Sequence, residues 1–135
     1  MKKKEGFKGE KSIVLPKSII RKLDKRPLNK LLFVTDIGYY PQAKFHQRKR
    51  QQGSPQNILI YCVDGEGWVK VGKKRFELKK DQYIIIPKQT PHEYGSLQSN
   101  PWTIYWLHFS GEKSHLFISS QTKPFEVGSE VQDRF

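Results

Sequence analysis

Basic and aromatic side chains alternate with other residues in two short segments of this 135-residue chain. In residues 44–50, His46, Arg48 and Arg50 fall on one face, because successive side chains of a strand point to opposite sides. His92 and Tyr94 share a face in the same way. A guanidinium group can bind two ring hydroxyls or a carboxylate. These side chains are therefore candidates to line a site for a polar small molecule.

The segment 102–109 (WTIYWLHF) carries large side chains on both of its faces. The residues alternate as Trp102, Ile104, Trp106 and His108 on one face, and Thr103, Tyr105, Leu107 and Phe109 on the other. Because both faces are largely apolar, we expect this strand to be buried on both sides. An indole can cover the apolar C–H face of a sugar ring. Trp106 is therefore a candidate to line a pocket, with a place in the core as the alternative.

Patterns typical of catalysis and of metal binding are weak. His46, His108 and His115 lie on separate segments without the short spacing of metal ligands. Cys62 is the only cysteine, which excludes a disulfide framework and a cysteine-rich zinc site. No Ser/His/Asp or Cys/His arrangement suggests a nucleophile, and the glycines at 65 and 67 lack the third glycine of a dinucleotide-binding loop. We expect no metal, no cofactor and no enzyme activity.

The formal net charge of +12 is concentrated at the start of the chain. Residues 1–50 hold 15 basic and 4 acidic side chains, whereas residues 51–135 hold 10 and 9. A basic segment suggests contact with nucleic acid, and direct DNA binding is one hypothesis. Sequence reading, however, needs a helix or ribbon in a groove, and the one predicted helix has no second helix beside it. A solvated surface is the simplest interpretation of most of these charges.

No targeting or membrane segment is recognised. The basic start is not followed by an apolar stretch, and no run of about 18 apolar residues occurs. The sequence thus predicts a cytoplasmic protein without a membrane partner.

Short strands are the elements that must position these side chains. Residues 1–12 have the composition of a mobile arm. A helix is predicted from Pro16 to Pro27. A strand is predicted over 31–40, with a break at Gly38. Further strands are predicted at 44–50, 57–63, 68–71, 75–78, 83–87, 92–95 and 102–109. Residues 112–119 suggest one or two helical turns, and residues 130–135 suggest the start of a helix. Such strand spacing, with frequent turn signals, predicts a β-sandwich or barrel.

The stretch 65–92 (GEGWVKVGKKRFELKKDQYIIIPKQTPH) resembles the cupin double-stranded β-helix. Pro87, Pro91 and His92 match residues of the second cupin motif. Asp81 and Gln89 stand where that motif has its two glycines. Metal-binding cupins also use two histidines and a glutamate of the first motif, and nothing in 53–63 supplies these ligands. The resemblance therefore implies a barrel without a metal site. A stand-alone cupin enzyme that modifies a sugar, an isomerase or epimerase, is the alternative function.

Five segments in order resemble the N-terminal effector-binding domain of AraC-type transcription regulators: GFKGEKSIVLPKSII, TDIGYYPQAKFHQRKR, NILIYCVDGEGWV, TPHEYG and NPWTIYWLHFSGEKSHLF. The resemblance implies a mainly β, cupin-like jelly-roll barrel with a short N-terminal helix and a C-terminal helical start. It implies an arm over 1–15, a ligand-binding domain over 16–118, and over 119–135 a linker with the start of a dimerisation helix. It also implies a sensor for a small-molecule effector, expected to be a carbohydrate. The expected partners are a second copy of the protein and DNA, the latter through a C-terminal domain absent from this chain.

The resemblance also implies which side chains contact the effector. Arg50, Tyr94 and Trp106 fall on the sugar-contacting arginine, a pocket tyrosine and the ring-stacking tryptophan of the arabinose-sensing member of the family. Ile104 replaces a histidine of that member, which argues for a ligand other than arabinose, and Asp36 falls near a polar pocket residue. Three further residues complete the predicted ligand-binding set: His46, His92 and Trp102. In that member the arm folds over the occupied pocket, which implies a lid in residues 1–15.

The predicted site residues have structural alternatives that the sequence leaves open. These are a solvated surface for Arg50, loop packing for Tyr94, the core for Trp106 and a loop hydrogen bond for His92.

Overall fold

Strands make up most of the chain in the computed structural model, which describes residues 2–24 and 31–127. The strands are β1 (Lys11–Val14), β2 (Phe33–Tyr40), β3 (Gln47–Arg50), β4 (Asn57–Asp64), β5 (Glu66–Val71), β6 (Lys74–Lys79), β7 (Gln82–Ile86), β8 (His92–Ser96), β9 (Thr103–Ser110) and β10 (Phe125–Glu126). A helix, α1, spans Lys17–Asp24, and a 3-10 turn spans Ser114–Phe117. The prediction of a mainly β fold with a short N-terminal helix is confirmed.

Two sheets enclose the core. One has six strands in the order β1-β2-β9-β4-β7-β10, and the other has four in the order β3-β8-β5-β6. Alternation places Ile58, Ile60 and Cys62 of β4 inside, where they meet Val69 of β5 and Leu78 of β6 in one buried cluster. Every named strand pair is antiparallel. The arrangement is a β-sandwich, as the strand spacing predicts, and agrees with the jelly roll that the family resemblance implies.

The side chains on the outer face of the six-stranded sheet are less buried than expected. Strand β9 was expected to be buried on both sides, but Leu107 and Tyr105 on its outer face are only half-buried. Val34 and Ile37 of β2 are exposed on the same face. Phe117 of the 3-10 turn packs edge-on against the buried Phe109 on this face, with ring centroids 6.4 Å apart. The turn covers only part of the surface, so the other apolar residues of β9 on this face stay half-buried.

The N-terminal segment is packed against both sheets, which corrects the expectation of a mobile arm. The Lys3 amide donates to the Phe45 carbonyl (2.7 Å), and the Gln47 amide donates to the Lys3 carbonyl (2.8 Å), at the start of β3. Further along, β1 pairs antiparallel with β2, with Ile13 opposite Ile37. Residues 3–14 therefore join the edge of one sheet to the edge of the other.

Other boundaries differ in detail. Strand β2 runs unbroken through Gly38, so the predicted break is wrong, and β3 begins at Gln47 instead of Lys44. Helix α1 starts where the amides of Ile19 and Ile20 reach the carbonyl of Pro16 (3.0 and 3.1 Å), and its last turn carries basic residues, as suits the negative end of a helix. The predicted helix end near Pro27 and the helical start at 130–135 lie outside the described residues.

Candidate ligand-binding site

A cavity of about 150 Å³ lies between the two sheets beside the N-terminal arm. Six of the eight predicted ligand-binding residues line it: Asp36, His46, Arg50, Tyr94, Ile104 and Trp106. They come from β2, from β3 and the turn before it, from β8 and from β9. The structure therefore brings together residues that are up to 70 positions apart in the chain.

Strand pairing explains why these side chains meet. Arg48 and Arg50 of β3 stand opposite Tyr94 and His92 of β8. The two faces predicted from the sequence, one on each strand, therefore lie side by side on one surface of the four-stranded sheet. Both arginines line the cavity or its rim, whereas Lys49 between them points outward and is exposed. The guanidinium groups reach the cavity because the register of β3 and β8 turns them inward.

Arg50 is held by two neutral acceptors. Its Nη1 donates to Tyr94 Oη and to His92 Nε2, each at 3.1 Å. His92 Nδ1 donates to the Thr90 carbonyl (2.9 Å), which leaves Nε2 as the accepting nitrogen. Burial lowers the pKa of His92, and the charge of Arg50 lowers it further, against the effect of the Thr90 hydrogen bond. The guanidinium group is thus oriented while its positive charge is left uncompensated by its partners.

His46 forms the floor of the cavity. Burial lowers its pKa to about 3, helped by the charges of Arg48 and Arg50, so the imidazole is neutral at pH 7. Its Nδ1 accepts a hydrogen bond from Trp102 Nε1 (3.0 Å). The ring of Phe7 from the arm packs 5.2 Å from it. His46 therefore ties the arm to the barrel without adding charge.

Two predicted residues stand behind the cavity wall. Trp102 is fully buried and supports His46, while His92 supports Arg50. Neither lines the cavity. The structure shows each of them supporting a lining residue, and direct contact of either with a ligand stays a prediction.

Trp106 lies over a glycine of the neighbouring strand. Gly38 of β2 is its partner in the β2–β9 register, and a Cβ on Gly38 would come within 2.3 Å of the indole carbons Cε2 and Cζ2. Tyr40 packs edge-on against the indole, with ring centroids 5.5 Å apart. Trp106 Nε1 is buried and has no hydrogen-bond partner among the described residues. The indole is thus part of the cavity wall with an unused donor.

Asp36 and His108 lie next to each other in the wall of the cavity. His108 Nδ1 lies 3.6 Å from Asp36 Oδ1, and Thr35 Oγ1 donates to the same oxygen. Burial would raise the pKa of Asp36, but His108, Thr35 and the charge of Arg50 outweigh it and hold the pKa below its usual value. Asp36 is therefore ionised and already engaged.

Sequence reasoning left several lining residues out of the predicted ligand-binding set: Lys4, Glu5, Ser12, Val14, Tyr40, Arg48, Ile60 and His108. Arg48 and His108 were seen to alternate in phase with Arg50 and Trp106, but the family resemblance did not select them. Tyr40 shares the inner face of β2 with Asp36 and Gly38. The arm was expected over the pocket only from the resemblance, and backbone pairing places its residues.

The described residues 2–24 and 31–127 contain no group of three or more His, Cys, Asp or Glu side chains that could hold a metal ion. Over the same residues, no helix has the length and apolar character needed to cross a membrane.

Known proteins include relatives of this chain in sequence and in fold. The MmsAB operon regulatory protein of Pseudomonas aeruginosa is 28% identical over 104 residues, which cover 74% of this chain and 34% of that protein. The chain thus spans about a third of the length of this curated relative. Among solved structures, the cupin domain of Cnp3 from Schizosaccharomyces pombe is 16% identical with a TM-score of 0.50, covering 80% of this chain and 69% of that one. KdgF from Halomonas sp. is 14% identical with a TM-score of 0.48, covering 79% and 81%.

The Cnp3 likeness shows that the fold is a cupin fold, as expected. A family model described as the AraC-like ligand binding domain matches residues 37–134, which include most of the cavity wall. The chain therefore belongs to the AraC-like ligand-binding domain family.

Proposed function

We propose that this chain is the sensor domain of an AraC-type transcription regulator and that its cavity binds a small carbohydrate. The observation that carries the proposal is Arg50, an oriented guanidinium group that lines the same cavity as the indole of Trp106. Guanidinium donors suit ring oxygens, and an indole face suits the C–H face of a ring.

The size of the cavity supports a ligand of one ring. Cavities of about 150 Å³ hold a single six-membered ring in other proteins. Apolar walls from Ile60 and Ile104 alternate with polar groups, as is typical of small-molecule sites. Ile104 is fully buried and gives no hydrogen bond from its side chain, which favours a ligand with an apolar edge on that side.

The arm supplies the regulatory part of the proposal. Lys4, Glu5, Ser12 and Val14 line the cavity while the arm's backbone pairs with both sheet edges. A ligand in the cavity would contact the arm and the barrel together and would stabilise the closed arrangement over any other. In the full-length protein this difference would pass to a dimerisation segment and to a DNA-binding domain.

A sensor fits the titrating groups better than an isomerase or epimerase does. A general base works best with a pKa near the working pH. The pKa of His46 is lowered to about 3 and that of Asp36 lies below its usual value, so both are weak bases at pH 7. His92 is also shifted downward and is engaged by Arg50.

A thermal-shift screen of monosaccharides and sugar acids against this chain tests the proposal. Arg50→Ala and Trp106→Ala should each abolish the ligand-induced rise in Tm while far-UV circular dichroism stays unchanged. Arg75→Ala is the matched control, because Arg75 stacks on Trp68 (4.4 Å) and takes no part in lining the cavity. A shift that survives in both variants, or NMR signals of a ligand converted to product, would contradict the proposal.

A further inference from the structure

Two guanidinium groups enter the cavity without an acidic partner. Arg48 and Arg50 are both half-buried and lie on one face of β3. The ion pairs of the described residues are Lys79–Glu77 and His108–Asp36, so no described carboxylate lies within 4.0 Å of either arginine. Arg50 is held by a phenol and a neutral imidazole, which accept its hydrogen bonds and carry no charge.

The acidic groups of the cavity do not make up for this charge. Asp36 is engaged by His108 and Thr35. Glu5 is exposed on the arm, and the exposed Lys4 beside it carries the opposite charge. His46 and His92 are neutral at pH 7. Asp36 also lies close enough to Arg50 for that charge to lower its pKa. The inner part of the cavity therefore holds two positive charges and one negative charge, which leaves an excess of positive charge.

An anionic ligand group fits this arrangement better than a neutral one. A half-buried charge without a counter-charge is unfavourable, and a bound carboxylate would supply one while accepting bidentate hydrogen bonds. Sugar hydroxyls could accept the same hydrogen bonds but would leave the charge in place.

Building on the proposed function, we infer that the effector is a sugar acid, a single ring or chain of hydroxyl-bearing carbons with one carboxylate, held by Arg48 and Arg50. Trp106 then covers the carbon skeleton. A sugar acid is a more specific class than the small carbohydrate of the proposed function.

Isothermal titration of this chain with matched pairs of ligands tests the inference. The probes are glucuronate with glucose, galacturonate with galactose, gluconate with glucitol, and glucose 6-phosphate, all at one ionic strength. At least one acid should bind roughly tenfold or more tightly than its neutral partner, the range expected for charge-assisted hydrogen bonds. Its affinity should fall as salt is raised.

Variants on one strand separate a binding role from a general charge effect. Arg48→Gln and Arg50→Gln should each weaken acid binding roughly tenfold or more. Lys49→Gln removes the same charge from the same strand but on the outer face, so it should leave the affinity within about twofold. Gln at 48 or 50 still donates hydrogen bonds, so neutral-sugar binding should change little.

The outcomes are distinct. A neutral sugar that binds as tightly as its acid, or a Lys49→Gln loss equal to that of Arg48→Gln, overturns the inference and leaves the proposed function standing. Tighter binding of glucose 6-phosphate than of every carboxylate overturns the carboxylate assignment. Absence of saturable binding by every probe overturns the proposed function with it.

Discussion

The indole of Trp106 lies on the backbone of Gly38, its cross-strand partner in the six-stranded sheet. Any Cβ at position 38 would stand 2.3 Å from two indole carbons. The glycine therefore does not break β2 but makes room for the ring beside the cavity. A small residue on one strand fixes how the large residue on the next strand forms the cavity wall.

Replacing Gly38 by alanine should displace the indole. We expect a loss of about 1–3 kcal/mol in the free energy of unfolding, because overpacking forces side chains or backbone to shift. Urea denaturation followed by fluorescence measures the loss. The double variant Gly38→Ala/Trp106→Leu should recover part of it relative to the sum of the single changes. Strict additivity of the two changes would show that the contact is not the cause.

Phe7 should contribute to stability as a core residue although it lies in the arm. Its side chain is 7% exposed and packs against Tyr40 and His46, with ring centroids 5.0 and 5.2 Å away. Phe7→Ala should lower the free energy of unfolding by about 3 kcal/mol, as for other buried phenylalanines. Phe117→Ala is the control, since that side chain is 54% exposed. Equal effects of the two changes in urea denaturation would argue against a packed arm.

Removing residues 1–12 tests the arm as a lid. The truncated chain loses the Lys3 backbone pairing, Phe7 and part of the cavity rim. Affinity for the effector found by titration should therefore fall, and the transcriptional response of the full-length protein should change with it. Unchanged affinity and response would contradict a role of the arm in sensing.

His46 should make the fold less stable in acid. The unfolded state takes up a proton near the ordinary pKa of 6.5, whereas the folded state does so only near 3. Between these values the unfolded state binds more protons, so the free energy of unfolding falls as pH decreases, by up to about 1.4 kcal/mol per pH unit. Above pH 6.5 the group has no effect on stability.

His46→Asn isolates this contribution, because asparagine offers an acceptor for Trp102 Nε1 and does not titrate. The variant should show a shallower loss of stability between pH 6.5 and 4 than the wild type in urea denaturation. His115→Asn, at an exposed position, should keep the wild-type slope. Parallel pH profiles of His46→Asn and the wild type would contradict the buried neutral imidazole.

Cys62 should report global unfolding. The side chain is fully buried, burial raises the pKa of the thiol to about 12, and Sγ donates to the Asp64 carbonyl (3.2 Å). The thiolate is the reactive form, so reaction with a disulfide reagent at pH 8 should be slow in the folded state. The rate should rise through the same urea midpoint as fluorescence. Fast reaction without urea would show local opening of β4.

The sequence predicted the strands well where side chains alternate and fill a core. Strands β4 and β9 are examples, because their runs of large apolar side chains predicted both strands, although neither face of β9 stood out as the inner one. Gly38 was misread as a break, since a sequence does not show that an indole on another strand occupies the space above a glycine. The composition of the arm predicted mobility, because edge pairing uses backbone groups that any residue carries.

The site was predictable in part from strand alternation and in part from the family resemblance. Arg50, Tyr94 and Trp106 were selected by the resemblance and line the cavity. Arg48 was grouped with Arg50 by strand phase but left out of the predicted set, because a cluster of charges gives no sign of which members face inward. Distances between β3 and β8 are set by pairing register, which only the folded chain shows.

The double attachment of the arm has a consequence beyond the cavity. Residues 11–14 pair along β2, and Lys3 meets the other sheet at the start of β3. An arm that swings away leaves the edge of β2 as a row of unpaired amides and carbonyls, and unpaired edges are templates for aggregation and strand exchange between molecules. Closing the arm replaces this eight-residue edge by the four-residue edge of β1, and short edge strands are one way in which proteins limit such pairing.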